Sequence, residues 1–150
     1  MHYFSKCLTV IGAAVMAGSP VYAGSNPFVV VIGNGPFTGT YNLPAAAVIC
    51  FHSTKQHVYT AAWKDFSPPN AKSIAEVGIQ VSNPDASGPK LGDVRISFGD
   101  SDKTPTVYEV SGKPLSLSVS GKRGDIAFKG TTKDGVRISV TVTCTDTTEM

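Results

Sequence analysis

From Val136 to Cys144 apolar and polar residues alternate without a break, with Val136, Ile138, Val140, Val142 and Cys144 on one side and Arg137, Ser139, Thr141 and Thr143 on the other. A period of two sends successive side chains to opposite faces of a strand, so this segment predicts one buried face and one wet face. Thr132-Lys133-Asp134-Gly135 precedes it, and Asp-Gly is a strong hairpin signal because both residues tolerate positive φ. The hairpin partner is Asp125 to Lys129, with Ile126 and Phe128 inward. The same alternation recurs upstream in Leu115/Leu117/Val119, Tyr108/Val110, Val94/Ile96/Phe98 and Val77/Ile79/Val81. Phe28 to Ile32 is a continuous apolar run closed by Gly33-Asn34-Gly35-Pro36, and Ala47 to His52 and His57 to Trp63 form a hairpin across Ser53-Thr54-Lys55-Gln56.

No window predicts a convincing helix. Ala45 to Ala47 follows Pro44 and is too short to propagate one, and Ser73 to Glu76 has room for a single helical turn. The expectation is an all-β chain, an antiparallel β-sandwich or partly open barrel of about 8–10 short strands with one disulfide.

The N-terminus follows another pattern. Lys6 is the one charge before an apolar stretch from Cys7 to Gly18, followed by Ser19, Pro20 and the small-residue end Val21-Tyr22-Ala23. That arrangement predicts a secretory signal peptide over residues 1–23, cleaved before Gly24. The apolar run is short of the ~20 residues that span a bilayer, so no transmembrane span is expected after cleavage. A lipoprotein signal needs a cysteine directly after the apolar run. Ser19 stands there and Cys7 lies too early, so lipidation is not expected. The mature product is then one β domain, residues 24–150, with 145–150 as a frayed polar tail. Its expected location is secreted or cell-envelope, outside the cytoplasm.

Composition narrows the partners. Thirteen basic residues face eleven acidic ones for a net charge of +2, and Lys6 leaves with the signal. Nothing argues for nucleic acid or an anionic membrane surface. Fifteen glycines and ten prolines suit short strands and tight turns.

With Cys7 in the signal, Cys50 and Cys144 remain. Each lies inside a strand, on the face of Val48 and Val142 respectively, and an exported pair of this kind is expected to form a disulfide. Free thiols or an intermolecular bridge are the alternatives; a redox or metal pair would show CxxC spacing, which is absent.

Candidate chemistry is sparse. His52 and His57 flank a short connection and, if opposed across the hairpin, offer two imidazoles to a metal ion, but a catalytic zinc needs a third protein ligand. The other reading is two histidines at a loop mouth. No nucleophile elbow and no S-x-x-K motif in a helix is present, so no catalytic residue and no cofactor is expected. Asp100-Ser101-Asp102 reads as a turn, lacking the glycine and distal glutamate of an EF-hand loop. Gly33-Asn34-Gly35 is also a turn, since no helix follows to cradle phosphate. Lys113, Lys122, Arg123, Lys129 and Lys133 cluster in the turns of the last three strands, where they read as solubilising turn residues or, gathered at one end, as a basic rim for an anionic ligand. Trp63 shares a strand face with Tyr59 and Ala61; it is a core candidate and, near Phe66-Ser67-Pro68-Pro69, a candidate anchor for a ligand or partner. Trp63, Lys122 and Arg123 are the candidate binding residues.

Cys50 and Trp63, thirteen positions on, echo an immunoglobulin domain. Cys144 is too distant, however, and Val142 stands where that family keeps a tyrosine. A second pattern runs through more of the chain: Val29-Val30-Val31-Ile32-Gly33, Thr38-Gly39, Val48-Ile49-Cys50, Val77-Gly78-Ile79, Phe128-Lys129-Gly130-Thr131 and Val140-Thr141-Val142-Thr143-Cys144. In this order, with these cysteines, the chain resembles the mycobacterial nineteen-kilodalton lipoprotein antigens (LpqH-like proteins). The resemblance implies an actinobacterial cell-envelope protein with a β-rich fold, one disulfide, no enzymatic activity and no catalytic residues to transfer. Cys50 and Cys144 are the matched positions, and Ser19 departs from the family where its lipidated cysteine is expected. The leading expectation is therefore a non-enzymatic surface protein acting on an unknown protein or host-surface partner. The alternative is an exported carrier of a small apolar ligand held in a sandwich or barrel cavity.

Overall fold

The computed structural model describes residues 27–84, 91–99, 105–114, 116–120 and 122–150. The expected signal segment, the Asp100-Ser101-Asp102 turn and Leu115 lie outside them, as does the side chain of Val119. Eleven strands form among the described residues: β1 (Phe28–Ile32), β2 (Gly39–Leu43), β3 (Val48–Ser53), β4 (Val58–Lys64), β5 (Ile74–Ser82), β6 (Leu91–Phe98), β7 (Thr106–Gly112), β8 (Ser116–Ser120), β9 (Arg123–Thr131), β10 (Arg137–Cys144) and β11 (Thr147–Glu149). They make a five-stranded sheet of order β2-β1-β10-β9-β8 and a six-stranded sheet of order β11-β3-β4-β5-β6-β7. The two sheets are not closed into a barrel, so the fold is an all-β sandwich.

Alternation explains the core. Val77, Ile79 and Val81 of β5, Val94, Ile96 and Phe98 of β6, and Ile138, Val140, Val142 and Cys144 of β10 are all buried, with polar neighbours turned outward. The continuous run Phe28 to Ile32 also obeys period two, since Phe28, Val30 and Ile32 are buried while Val31 is exposed. One end of the sandwich is closed by aromatic rings. Phe37 lies 4.3 Å from Phe98 and edge-on to Tyr108, and Tyr41 stands edge-on to Phe98. Nearby, Asn34 joins two turns: its amide donates to the carbonyl of Gly135, and its carbonyl accepts from the backbone N–H of Arg137.

The structure corrects several expectations. Strands β2 and β11 were not anticipated, because neither carries a clean apolar alternation. Residues 145–150 are not simply frayed: Thr147–Glu149 adds to β3 in parallel, and Thr147 is buried. Ser73 to Glu76 contains no helical turn, as β5 begins at Ile74 and its β-branched and apolar residues pair with β4 and β6. Ala45–Ala47 forms a single 3₁₀ turn.

Candidate functional site

Cys50 and Cys144 form the expected disulfide, with Cα atoms 6.1 Å apart, joining β3 of one sheet to β10 of the other. The remaining sequence candidates do not converge. His52 pairs with Tyr59 in the β3–β4 ladder and faces inward, its ring 5.9 Å from the Tyr59 ring. His57 lies in the turn with φ of 53°, where it accepts a backbone hydrogen bond from Asn83. The two imidazoles therefore do not oppose each other across the hairpin: one belongs to the interior and the other to a left-handed turn position. Among the described residues no three His, Cys, Asp or Glu side chains are grouped as a metal site.

Trp63 is 6% exposed and lies in the core, with its indole N–H buried and without a hydrogen-bond partner. It is not available as a surface anchor. The exposed aromatic of that region is Phe66, 79% exposed, with Lys64 Nζ 5.3 Å from its ring centre. The basic residues do not form one rim. Lys122 and Arg123 stand at the start of β9, whereas Lys129 and Lys133 lie toward and beyond its far end; a nine-residue strand is roughly 30 Å long. Lys122 pairs with Asp146 at 3.3 Å, and Arg123 makes a two-pronged bond to Asp125 at 2.9 and 3.1 Å.

A site that sequence reasoning missed lies on the outer face of the six-stranded sheet. Strand register sets two cross-strand rows there. Ile49, Ala62, Gly78, Arg95 and Glu109 follow one another across β3 to β7, and Phe51, Thr60, Gln80, Asp93 and Ser111 form the adjacent row. Gly78 leaves a gap in the first row, because nothing lies within 4 Å of where its Cβ would stand. Longer side chains surround the gap. The resulting depression of about 420 Å³ is walled by Thr60, Glu76, Gln80, Asp93, Arg95 and Glu109, and this volume falls in the range of roughly 300–1,000 Å³ typical of small-ligand sites.

The walls carry both signs of charge, and their groups pair with each other. Arg95 Nε lies 3.6 Å from Glu109 Oε1, Lys64 Nζ lies 3.6 Å from Glu76 Oε2, and the Ser111 hydroxyl donates to Asp93 Oδ1 at 2.5 Å. Exposed pairs of this kind contribute little stability, so these side chains stay free to exchange partners over the depression. Toward β3 the face turns apolar, with Ile49 63% exposed and Phe51 half-buried. Sequence alone placed these residues on wet strand faces but not beside one another; only the register of five successive antiparallel strands does that.

A second depression of about 410 Å³ lies on the outer face of the other sheet, along Val31, Gly33, Lys129, Arg137 and Ser139. Arg137 there donates to the carbonyl of Gly33 at 3.3 Å.

No protein-family model, curated protein or solved structure matches this chain.

Proposed function

We propose that this is an exported, non-enzymatic cell-envelope or secreted protein that works by surface recognition through the outer face of its six-stranded sheet. The depression at Gly78 carries the reading: a glycine in the middle of a central strand costs strand stability, and here it leaves an open space ringed by polar side chains. Support for export comes from the N-terminal charge and hydropathy pattern and from the Cys50–Cys144 bond, since disulfides persist in oxidising compartments. The resemblance to the mycobacterial nineteen-kilodalton antigens supports a surface role without catalysis. Carriage of an apolar ligand between the sheets is less well supported, because Phe28, Tyr59, Phe98 and Phe128 fill that space.

The test is attachment of labelled protein to intact cells and to envelope preparations. Gly78→Tyr puts a ring into the depression from a Cβ position that meets nothing within 4 Å, and places a good strand former on an open face. Attachment is expected to fall ten-fold or more in Gly78→Tyr and to stay unchanged in Lys129→Ala on the opposite sheet. Equal attachment by wild type and Gly78→Tyr overturns the recognition face. Intact-mass analysis of exported protein checks the remainder: Gly24 to Met150 less two hydrogens is expected, and an added diacylglyceryl group contradicts it.

A further inference from the structure

Resting on the recognition face just proposed, the geometry points to its ligand class: we propose that the Gly78 depression binds a neutral carbohydrate. Hydroxyls would be held by Gln80, Asp93, Arg95 and Glu109, and a sugar ring face would lie over Gly78 and Ala62 toward Phe51. Three properties of the site select that class.

The first is charge. Glu76, Asp93 and Glu109 stand around Arg95, with Lys64 as the other base on the face. An anion approaching Arg95 meets these carboxylates. A cation meets Arg95 and Lys64, and the acidic groups do not cluster as a metal site. A ligand without net charge meets neither obstacle.

The second is hydrogen-bond capacity. Arg95 carries five N–H donors and its pairing with Glu109 uses Nε, while a carboxylate accepts at several lone-pair positions and Gln80 offers both a carbonyl and an NH₂. The site therefore presents spare donors and spare acceptors side by side. A hydroxyl both donates and accepts, so a run of vicinal hydroxyls satisfies the two together. An extended peptide is poorly matched, because peptides add to a sheet at its edge, and the backbone groups of β5 are already paired with β4 and β6.

The third is the change of character across the face. Polar side chains crowd the β6–β7 side, and Phe51, Ala62 and Ile49 make the β3 side apolar. A pyranose divides the same way, with hydroxyls around its rim and C–H groups on its ring faces. Gly78 and Ala62 are cross-strand neighbours that present nothing larger than a methyl group there.

A glycan array carrying neutral hexose and N-acetylhexosamine oligosaccharides beside sialylated and sulfated ones tests the proposal, followed by amide-shift mapping with the best-retained neutral oligosaccharide. Retention of neutral glycans is expected, with shifts centred on Gly78, Gln80 and Arg95. Gly78→Tyr and Gln80→Ala should each weaken it ten-fold or more while leaving the far-ultraviolet dichroism of the fold intact. An empty array, retention confined to anionic glycans, or neutral-glycan binding equal in wild type and Gly78→Tyr overturns the carbohydrate assignment. If the assignment falls while Gly78→Tyr still abolishes cell attachment, the recognition face stands with another ligand. If Gly78→Tyr changes neither measurement, both readings fall.

Discussion

The Tyr59 hydroxyl and the Thr147 hydroxyl lie 2.9 Å apart in the interior, joining positions 88 apart in sequence. Tyr59 is fully buried, and Thr147 sits opposite Cys50 in the parallel pairing of β11 with β3. The bond thus locks the C-terminal strand onto the six-stranded sheet from within. It also satisfies two hydroxyls that would be costly to bury alone.

Breaking that lock should cost stability on both sides. Tyr59→Phe and Thr147→Val are each expected to destabilise by about 1–3 kcal/mol, since each leaves the other hydroxyl buried and unpaired. The double variant should cost less than the sum of the two, because neither orphan then remains. Urea denaturation of the four proteins measures this; strict additivity would mean that the bond is absent in solution.

Three glycines on strands should respond in opposite ways to a methyl group. A Cβ at Gly124 would overlap the Tyr59 ring and hydroxyl, and one at Gly130 would overlap Val110, so each glycine makes room for a side chain of the facing sheet. Gly124→Ala and Gly130→Ala should destabilise by about 1–3 kcal/mol through overpacking. Gly78→Ala meets open space and should be neutral or stabilising by up to about 1 kcal/mol. Thermal unfolding midpoints give the order directly.

The disulfide closes a separation of 94 residues, and the chain-entropy argument assigns such a loop up to ~4.7 kcal/mol. Replacing both Cys50 and Cys144 by Ala is expected to cost about 2–5 kcal/mol. Because Thr145 and Asp146 alone separate Cys144 from β11, the amides of Thr147 and Thr148 should lose hydrogen-exchange protection before those of β5. Uniform loss across both strands would argue against local release of the tail.

Stability should form a plateau with a fall at each end of the pH scale. Burial pushes the Tyr59 phenol above its ordinary value of 10.0, with the Thr147 bond opposing and Asp125 adding to the rise. The folded state therefore holds that proton more tightly, and the contribution is complete below pH ~10 and lost as pH rises through the folded value. Asp125 moves the other way: its hydrogen bond with Arg123 is the largest cause, and Thr143 assists in lowering it below 3.8. Its contribution is present above pH ~4 and lost on acidification through the folded value. Melting temperatures against pH should show both edges, and Asp125→Asn should flatten the acid one while moving the alkaline one slightly lower, since the Asp125 charge adds to the rise at Tyr59.

How far the fold was legible depended on the strength of the local pattern. Val136 to Cys144 announced β10 and its buried face, and Val77/Ile79/Val81 did the same for β5. The segment Gly39–Leu43 did not announce β2, because its half-buried Thr-Tyr-Asn sequence draws its strand conformation from pairing with β1. Alternation puts Trp63 on the face of Tyr59 and Ala61 and makes it a core candidate, as the structure has it, but could not by itself exclude a surface anchor, because it does not say whether such a face ends at water or at another sheet. The proposed recognition face was not legible at all: Gly78, Arg95 and Glu109 are distant in sequence and carry no spacing motif.

By itself the sequence determined that this chain forms strands, which residues of the strongly alternating ones turn inward, and that Cys50 and Cys144 share inward faces. Those properties follow from side-chain periodicity, which is local. The tertiary structure alone decided that β1 pairs with β10, that β11 docks on β3, and that His52 and His57 part company. It also decided that Gly124 yields space to Tyr59 while Gly78 leaves space open to solvent. These outcomes depend on register and on which sheet faces which, and both are set by packing between segments far apart in the chain.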